Sequence, residues 1–147
     1  MKKIIIVIII ILTLINVFLV YSLIFQKSIL TKIFGFGILV VNSGSMNPEL
    51  SIGEVIVIKE KDSYKIGDII TMSVNNEYLV THRIVDINDN KYITKGDNNN
   101  CIDEKIIHNE EIEGKVIFHS KLLGKIYQYR YYIFIIFAII IIFLILF

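Results

Sequence analysis

Apolar and polar positions divide the 147-residue chain into three parts. After Met1-Lys2-Lys3, the run from Ile4 to Gln26 carries no charge, and Tyr131 to Phe147 carries none either. A membrane helix needs about 20 apolar residues, with a lower limit near 17. The first run passes that length. It is too long for the apolar core of a cleaved signal peptide, and no small-x-small cleavage site follows Gln26. The second run, at about 1.5 Å per residue, reaches about 26 Å, enough for a thin bilayer core with help from flanking tyrosines. Residues 1–26 are therefore expected to form an N-terminal transmembrane anchor and residues 131–147 a C-terminal transmembrane helix, with residues 27–130 as the domain between them.

Inside that domain the pattern shifts to short β-branched runs between polar turns. Gly37 to Val41 (GILVV), Glu54 to Lys59 (EVIVIK), Ile66 to Val74 (IGDIITMSV) and Tyr78 to Ile87 (YLVTHRIVDI) read as strands. Tyr92 to Thr94 and Ile112 to His119 read as two more. Asn75-Asn76 and Asn88-Asp89-Asn90 supply turns, since Asn tolerates positive φ. No helical period of any length and no internal repeat lies between the anchors. The expected architecture is mainly β, a compact antiparallel, barrel-like sheet flanked by the two transmembrane helices.

Charge narrows the function classes. All fourteen Asp and Glu, and every Lys and Arg except Lys2 and Lys3, fall between Lys27 and Arg130. That near balance leaves no electrostatic footprint for nucleic acid. Cys101 is the single cysteine, so no intrachain disulfide forms, and three widely separated histidines lack metal-ligand spacing. No metal or cofactor is expected. Lys2 and Lys3 favour a cytoplasmic N-terminus, whereas Lys27, Lys32, Lys121, Lys125 and Arg130 crowd the inner flanks of both anchors. A segment longer than about 60 residues is largely exempt from the positive-inside rule, so charge does not set the topology.

The chemistry gathers around Val41 to Glu54, VNSGSMNPELSIGE, which holds the sole proline, Pro48, and places Ser45 between Gly44 and Met46. A glycine beside a serine, with a rigid proline three residues on, suits a tight bend that projects a hydroxyl and leaves backbone N–H groups free. A nucleophilic serine needs both. The same residues also describe an ordinary turn between strands. Ser45 needs a base, and His82 is the leading candidate. On its strand it shares a face with Val80 and Ile84, a position that otherwise asks for an apolar residue. A histidine there is often a satisfied core residue, but imidazole is also the side chain suited to take a hydroxyl proton at neutral pH. His108 and His119 lack an accompanying polar cluster. For a group to orient the base, the loop KGDNNNCIDEK from Lys95 to Lys105 offers Asp97 and Asp103, in a pattern that also describes an Asx-rich turn.

Taken in order, an anchor, S-G-S-M-x-P, a G-D strand, an H-R strand and G-D-N-N-x-x-x-D, the chain resembles a type I signal peptidase of the endoplasmic-reticulum-type (Ser/His) branch. That branch is shared by eukaryotes, archaea and some spore-forming bacteria. The resemblance covers about Val40 to His119. It implies a signal-peptidase catalytic domain on the extracytoplasmic side of the membrane. The implied activity is serine endopeptidase cleavage of signal peptides from exported preproteins after small residues. By resemblance Ser45 is the nucleophile, His82 the base in place of the lysine of the bacterial-type branch, and Asp103 its partner. Ser43 supports the oxyanion hole with the backbone N–H of Ser45, and Asp97 is structural or supporting. Asn47 stands where the family commonly has Glu, and Glu104-Lys105 where it usually has Arg; neither change removes a reacting group. An extended substrate is expected along the strand entering Ser45, with Ile38, Val40 and Met46 as walls of shallow pockets. The implied partners are preprotein signal peptides and the lipid bilayer; the sequence names no partner subunit. Two other readings compete. One is a non-catalytic, membrane-tethered β-barrel serving binding or assembly, and the other a Ser–Lys protease with Lys95 as base.

Overall fold

The computed structural model describes residues 32–75, 77–89 and 91–146, together with Val7, Ile10, Ile11, Thr13, Leu14 and Leu30. Two compact units emerge, Ile29–Lys125 and the pair Met1–Ser28 with Ile126–Phe147. In the first, β1 (Lys32–Ile33), β2 (Phe36–Val40), β3 (Val55–Lys59), β4 (Ile69–Val74), β5 (Tyr78–Asn88), β6 (Lys91–Lys95), β7 (Ile107–His108) and β8 (Ile112–Ser120) make one sheet. Its order is β1-β2-β3-β8-β4-β5-β6-β7, and neighbours pair antiparallel throughout. The expected mainly-β, antiparallel domain is borne out.

The β-branched runs fold as strands because each presents one face to a core and the other to neighbours or solvent. Two apolar clusters result. Ile70, Met72, Ile84, Tyr92, Ile107 and Ile112 pack with Tyr64 on the β4–β7 side. Met46, Leu50, Ile56 and Ile58 form the second, beneath the segment joining β2 to β3. Burying a side chain of this size contributes about 1.5–3 kcal/mol, so Met46 and Leu50 tether that connecting segment to the sheet.

Differences from the sequence reading have local causes. The strand expected from Ile66 begins only at Ile69. Gly67 takes φ 92° and closes a turn in which Asp68 N–H donates to the Lys65 carbonyl. Asn75 and Asp89 do adopt positive φ, as the turn reading required. The expectation of no helix within residues 27–130 is corrected: Lys121–Gln128 forms α1. Its eight residues are too few to print a period, and Gly124 lowers the local helix propensity. That glycine has a packing reason, because a Cβ there would collide with the Gly53 carbonyl oxygen.

In the second unit, α2 covers Arg130–Leu146, 17 residues. Among the described residues no helix is long and apolar enough to cross a membrane. The expected N-terminal anchor lies outside the described residues apart from Val7, Ile10, Ile11, Thr13 and Leu14, which are helical.

Because the Gly53 backbone leaves no room for a side chain at position 124, Gly124→Ala is expected to destabilise the domain by about 1–3 kcal/mol despite alanine's better helix propensity. A lower denaturant midpoint at unchanged m-value, measured on the full chain in detergent, checks this.

Candidate active site

The connection from β2 to β3, residues 41–54, is closed at its base by two backbone hydrogen bonds. Val41 N–H donates to the Glu54 carbonyl at 2.9 Å and Gly53 N–H to the Val41 carbonyl at 2.8 Å. Within the loop, Asn47 N–H reaches the Gly44 carbonyl at 3.1 Å and Leu50 N–H the Met46 carbonyl at 2.9 Å. Met46 and Leu50 point into the core. Ser45 is left half-buried at the bend and Ser43 exposed, with their hydroxyl oxygens 3.2 Å apart. Among the described residues the Ser45 N–H has no hydrogen-bond acceptor, so it remains available as a donor.

His82 lies on β5 opposite Ile70 of β4, with only 7% of its surface exposed. Burial of a polar ring demands partners. Its Nδ1 is 2.6 Å from Asp103 Oδ2. When Nδ1–H donates to that carboxylate, Nε2 is left as the acceptor. Asp103 is itself held, by its N–H to the Thr94 carbonyl at 2.8 Å and by the Thr94 hydroxyl donating to Oδ2 at 2.7 Å. Thr94 escaped the sequence reading, since a threonine inside a short strand gives no signal of its own.

Asp97 does not join this pair. It accepts from Arg83 Nε at 2.8 Å and Nη2 at 2.7 Å, a bidentate pairing, while Arg83 Nη1 donates to the Gly67 carbonyl at 3.0 Å. The Asp97 hydrogen bonds, against the opposing effect of burial, raise the guanidinium's pKa above its ordinary value. The loop after β6 then docks on the serine bend, with Asn98 N–H donating to the Ser45 carbonyl at 2.8 Å. A Cβ on Gly96 would lie 2.7 Å from that same carbonyl oxygen, so only glycine allows the approach.

These elements surround a cavity of about 580 Å³. Val40, Ser43, Ser45 and Met46 line one side, and Val80, Thr81 and His82 contribute from β5, with Tyr78 and Asn99 also in the lining. Ser45 and His82 thus both line this cavity but make no direct hydrogen bond. Of the expected pocket walls, Val40 and Met46 are in the lining, whereas Ile38 is 69% exposed and outside it. Lys95, on β6 opposite Arg83, is outside the lining as well. Two strand edges border the space. Among the described residues, β6 pairs with β5 only from Arg83 onward, leaving residues 78–82 unpaired on that edge. Likewise β1 pairs with β2 only at Phe36 and Gly37, so the outer edge of Ile38 to Val40 is open.

Residues 20–117, well over half of the chain, match the family described as Peptidase S24-like. The chain belongs to this family. It is also 38% identical over 90 residues to signal peptidase I W of Bacillus subtilis (strain 168), an overlap of 56% of this chain and 47% of that protein. With the signal peptidase complex catalytic subunit SEC11 of Plasmodium falciparum (isolate 3D7) it shares 28% identity over 100 residues, 59% of this chain and 54% of the other. The chain spans about half the length of these curated relatives. The resemblance to signal peptidases read from the ordered motifs is borne out.

A second carboxylate–imidazole pair lies at the foot of the serine loop. Glu54, 2% exposed, accepts from Ser51 N–H at 2.9 Å, and its Oε1 is 2.6 Å from His119 Nδ1 on β8. Burial pushes the Glu54 pKa up, but the His119 and Ser51 hydrogen bonds and the charges of His119 and Lys121 outweigh it, so the carboxyl sits below an ordinary glutamate's 4.5. A carboxylate with a depressed folded-state pKa contributes stability that is present above the unfolded value and lost as pH falls through the folded one. Asp68, also depressed, adds in the same sense; burial opposes, and the Lys115 contact and Lys65 N–H prevail. The thermal midpoint is therefore expected to be flat near neutrality and to fall below about pH 4.5, with a shallower acid slope in Glu54→Gln. Unfolding scans between pH 7 and pH 3 check this.

Proposed function

We propose that the chain is a membrane-bound serine endopeptidase that removes signal peptides from exported preproteins, cleaving after small residues. The observation that carries the reading is the Asp103–His82 hydrogen bond, opening onto the cavity that Ser45 and Ser43 also line. The names of the two relatives point the same way.

The chemistry is acyl transfer. Ser45 Oγ turns from Ser43 toward His82 Nε2, gives up its proton and attacks the scissile carbonyl. Asp103 holds the tautomer that leaves Nε2 basic and stabilises the imidazolium that forms. Negative charge on the carbonyl oxygen is met by the Ser45 N–H and the Ser43 hydroxyl. His82 then protonates the leaving amine, and a water activated by the same imidazole hydrolyses the acyl-enzyme. The open edges of β2 and β5 suit a substrate that lies extended between them and pairs by main-chain hydrogen bonds. Val40, Met46 and Leu50 in the cavity lining leave shallow apolar space that favours small side chains. In this reading residues 1–26 anchor the enzyme, residues 131–147 enter the bilayer, and the catalytic domain faces the extracytoplasmic side.

Purified full chain in detergent is expected to cleave a preprotein, and Ser45→Ala to abolish cleavage. Ser43→Ala is expected to slow kcat by about 10²–10³-fold, the loss typical of one oxyanion donor. Activity lost in His82→Ala and kept in Lys95→Ala distinguishes the Ser–His reading from the Ser–Lys one. Cleavage undiminished in Ser45→Ala would leave the domain as a tethered binding module.

A further inference from the structure

We propose that Thr94 is a positioning residue for this relay, its hydroxyl fixing the Asp103 carboxylate in the orientation that receives His82. The inference rests on the protease reading and extends it to a residue outside the motif set. Thr94 has no exposed surface, on a strand whose other inward position is the buried Tyr92. It stands opposite Ile84 of β5, two residues from His82, so the same sheet face carries all three side chains. At such a site valine would fill the same volume without a polar atom to satisfy. Among the described residues the hydroxyl has one strong hydrogen-bond partner, Asp103 Oδ2 at 2.7 Å, and one weak one, Met72 Sδ at 3.9 Å.

The arrangement places two donors on a single carboxylate oxygen, since His82 Nδ1 also meets Oδ2. Asp103 N–H is meanwhile tied to the Thr94 carbonyl. Main chain and side chain of one residue thus fix both the position and the rotation of the carboxylate. A donor on that oxygen also takes up part of its charge, so removing the hydroxyl leaves more charge facing the imidazole and favours its protonated form. Thr94 lies outside the cavity lining and bonds to Asp103 rather than to Ser45, so its effect passes through Asp103.

The test compares Thr94→Val and Thr94→Ser in the full chain in detergent, using a signal-peptide substrate. Thr94→Val is expected to lower kcat about tenfold at unchanged KM and to move the acidic limb of the kcat/KM profile to higher pH. Thr94→Ser is expected to restore both. If valine unfolds the domain, Thr94→Ser against Thr94→Ala carries the same contrast, because both lose the methyl group and only alanine loses the hydroxyl. Wild-type kcat and an unmoved acidic limb in the hydroxyl-free variant, or an equal loss in the serine variant, overturns the proposal. A limb displaced to lower pH does so too. Should the unmodified chain leave preprotein uncut, the protease reading fails by itself. The His82 imidazole titration, followed by NMR in wild-type and hydroxyl-free protein, then still decides whether Thr94 acts on the pair.

Discussion

The Ser45 carbonyl accepts the Asn98 N–H across a gap that stays open only because Gly96 has no side chain. This contact sets where the serine bend meets the loop that carries the two aspartates. It joins two segments distant along the chain, the loop between β2 and β3 and the loop after β6. Each has its own anchor elsewhere: Met46 and Leu50 sink into one core cluster, and Asp97 grips Arg83 beside His82. With both loops held at their far points and touching at Ser45, the serine, the imidazole and the carboxylate are confined to one region. Ser45 and Asp103 are each tied by a backbone hydrogen bond and His82 lies on a paired strand; for the proposed reaction, such prior placement is what electrostatic catalysis requires.

Charged groups near the site are used in pairs, and the pairs divide the work. Asp103 meets the imidazole that faces the cavity, Asp97 meets the guanidinium of the next residue, and Glu54 meets His119 below the serine loop. Adjacent strand residues point to opposite faces, so His82 and Arg83 can each take a separate aspartate from the same loop. That is why the G-D-N-N-x-x-x-D spacing carries two carboxylates that end in different places. An isolated buried carboxylate would be costly, and Glu54 escapes that cost through its two donors.

Legibility in the sequence follows how local the determining physics is. The six longer strands were readable because alternation and β-branching are written into five or more consecutive residues, as in Val55 to Lys59. The two-residue strands Lys32–Ile33 and Ile107–His108 exist through their partners alone and leave no local trace. Helix α1 was hidden by its shortness and by a glycine chosen for contact with Gly53 rather than for helix formation. At the candidate site, the inward direction of His82 was readable from Val80 and Ile84. The Asp97 and Asp103 roles came from the resemblance, and Thr94 from neither. Ile38 shows the limit of face arguments. It alternates with Val40, yet in register it lies opposite Val57, in line with the exposed Phe118, while the cavity gathers at the strand's far end.

The unpaired edges of β2 and β5 carry a liability as well as a use. A polypeptide of any origin that enters the cleft in extended form finds ladder partners on both sides, including a flexible tail of a neighbouring copy or the peptide just released. Under the proposed protease reading, turnover would require the ends of a cut chain to leave a groove that holds uncut chain by the same bonds. Exposed edges of this kind also invite strand exchange between molecules when crowded. The shortness of both open stretches, Ile38 to Val40 and residues 78–82 among the described residues, limits how many such bonds a stray strand can form.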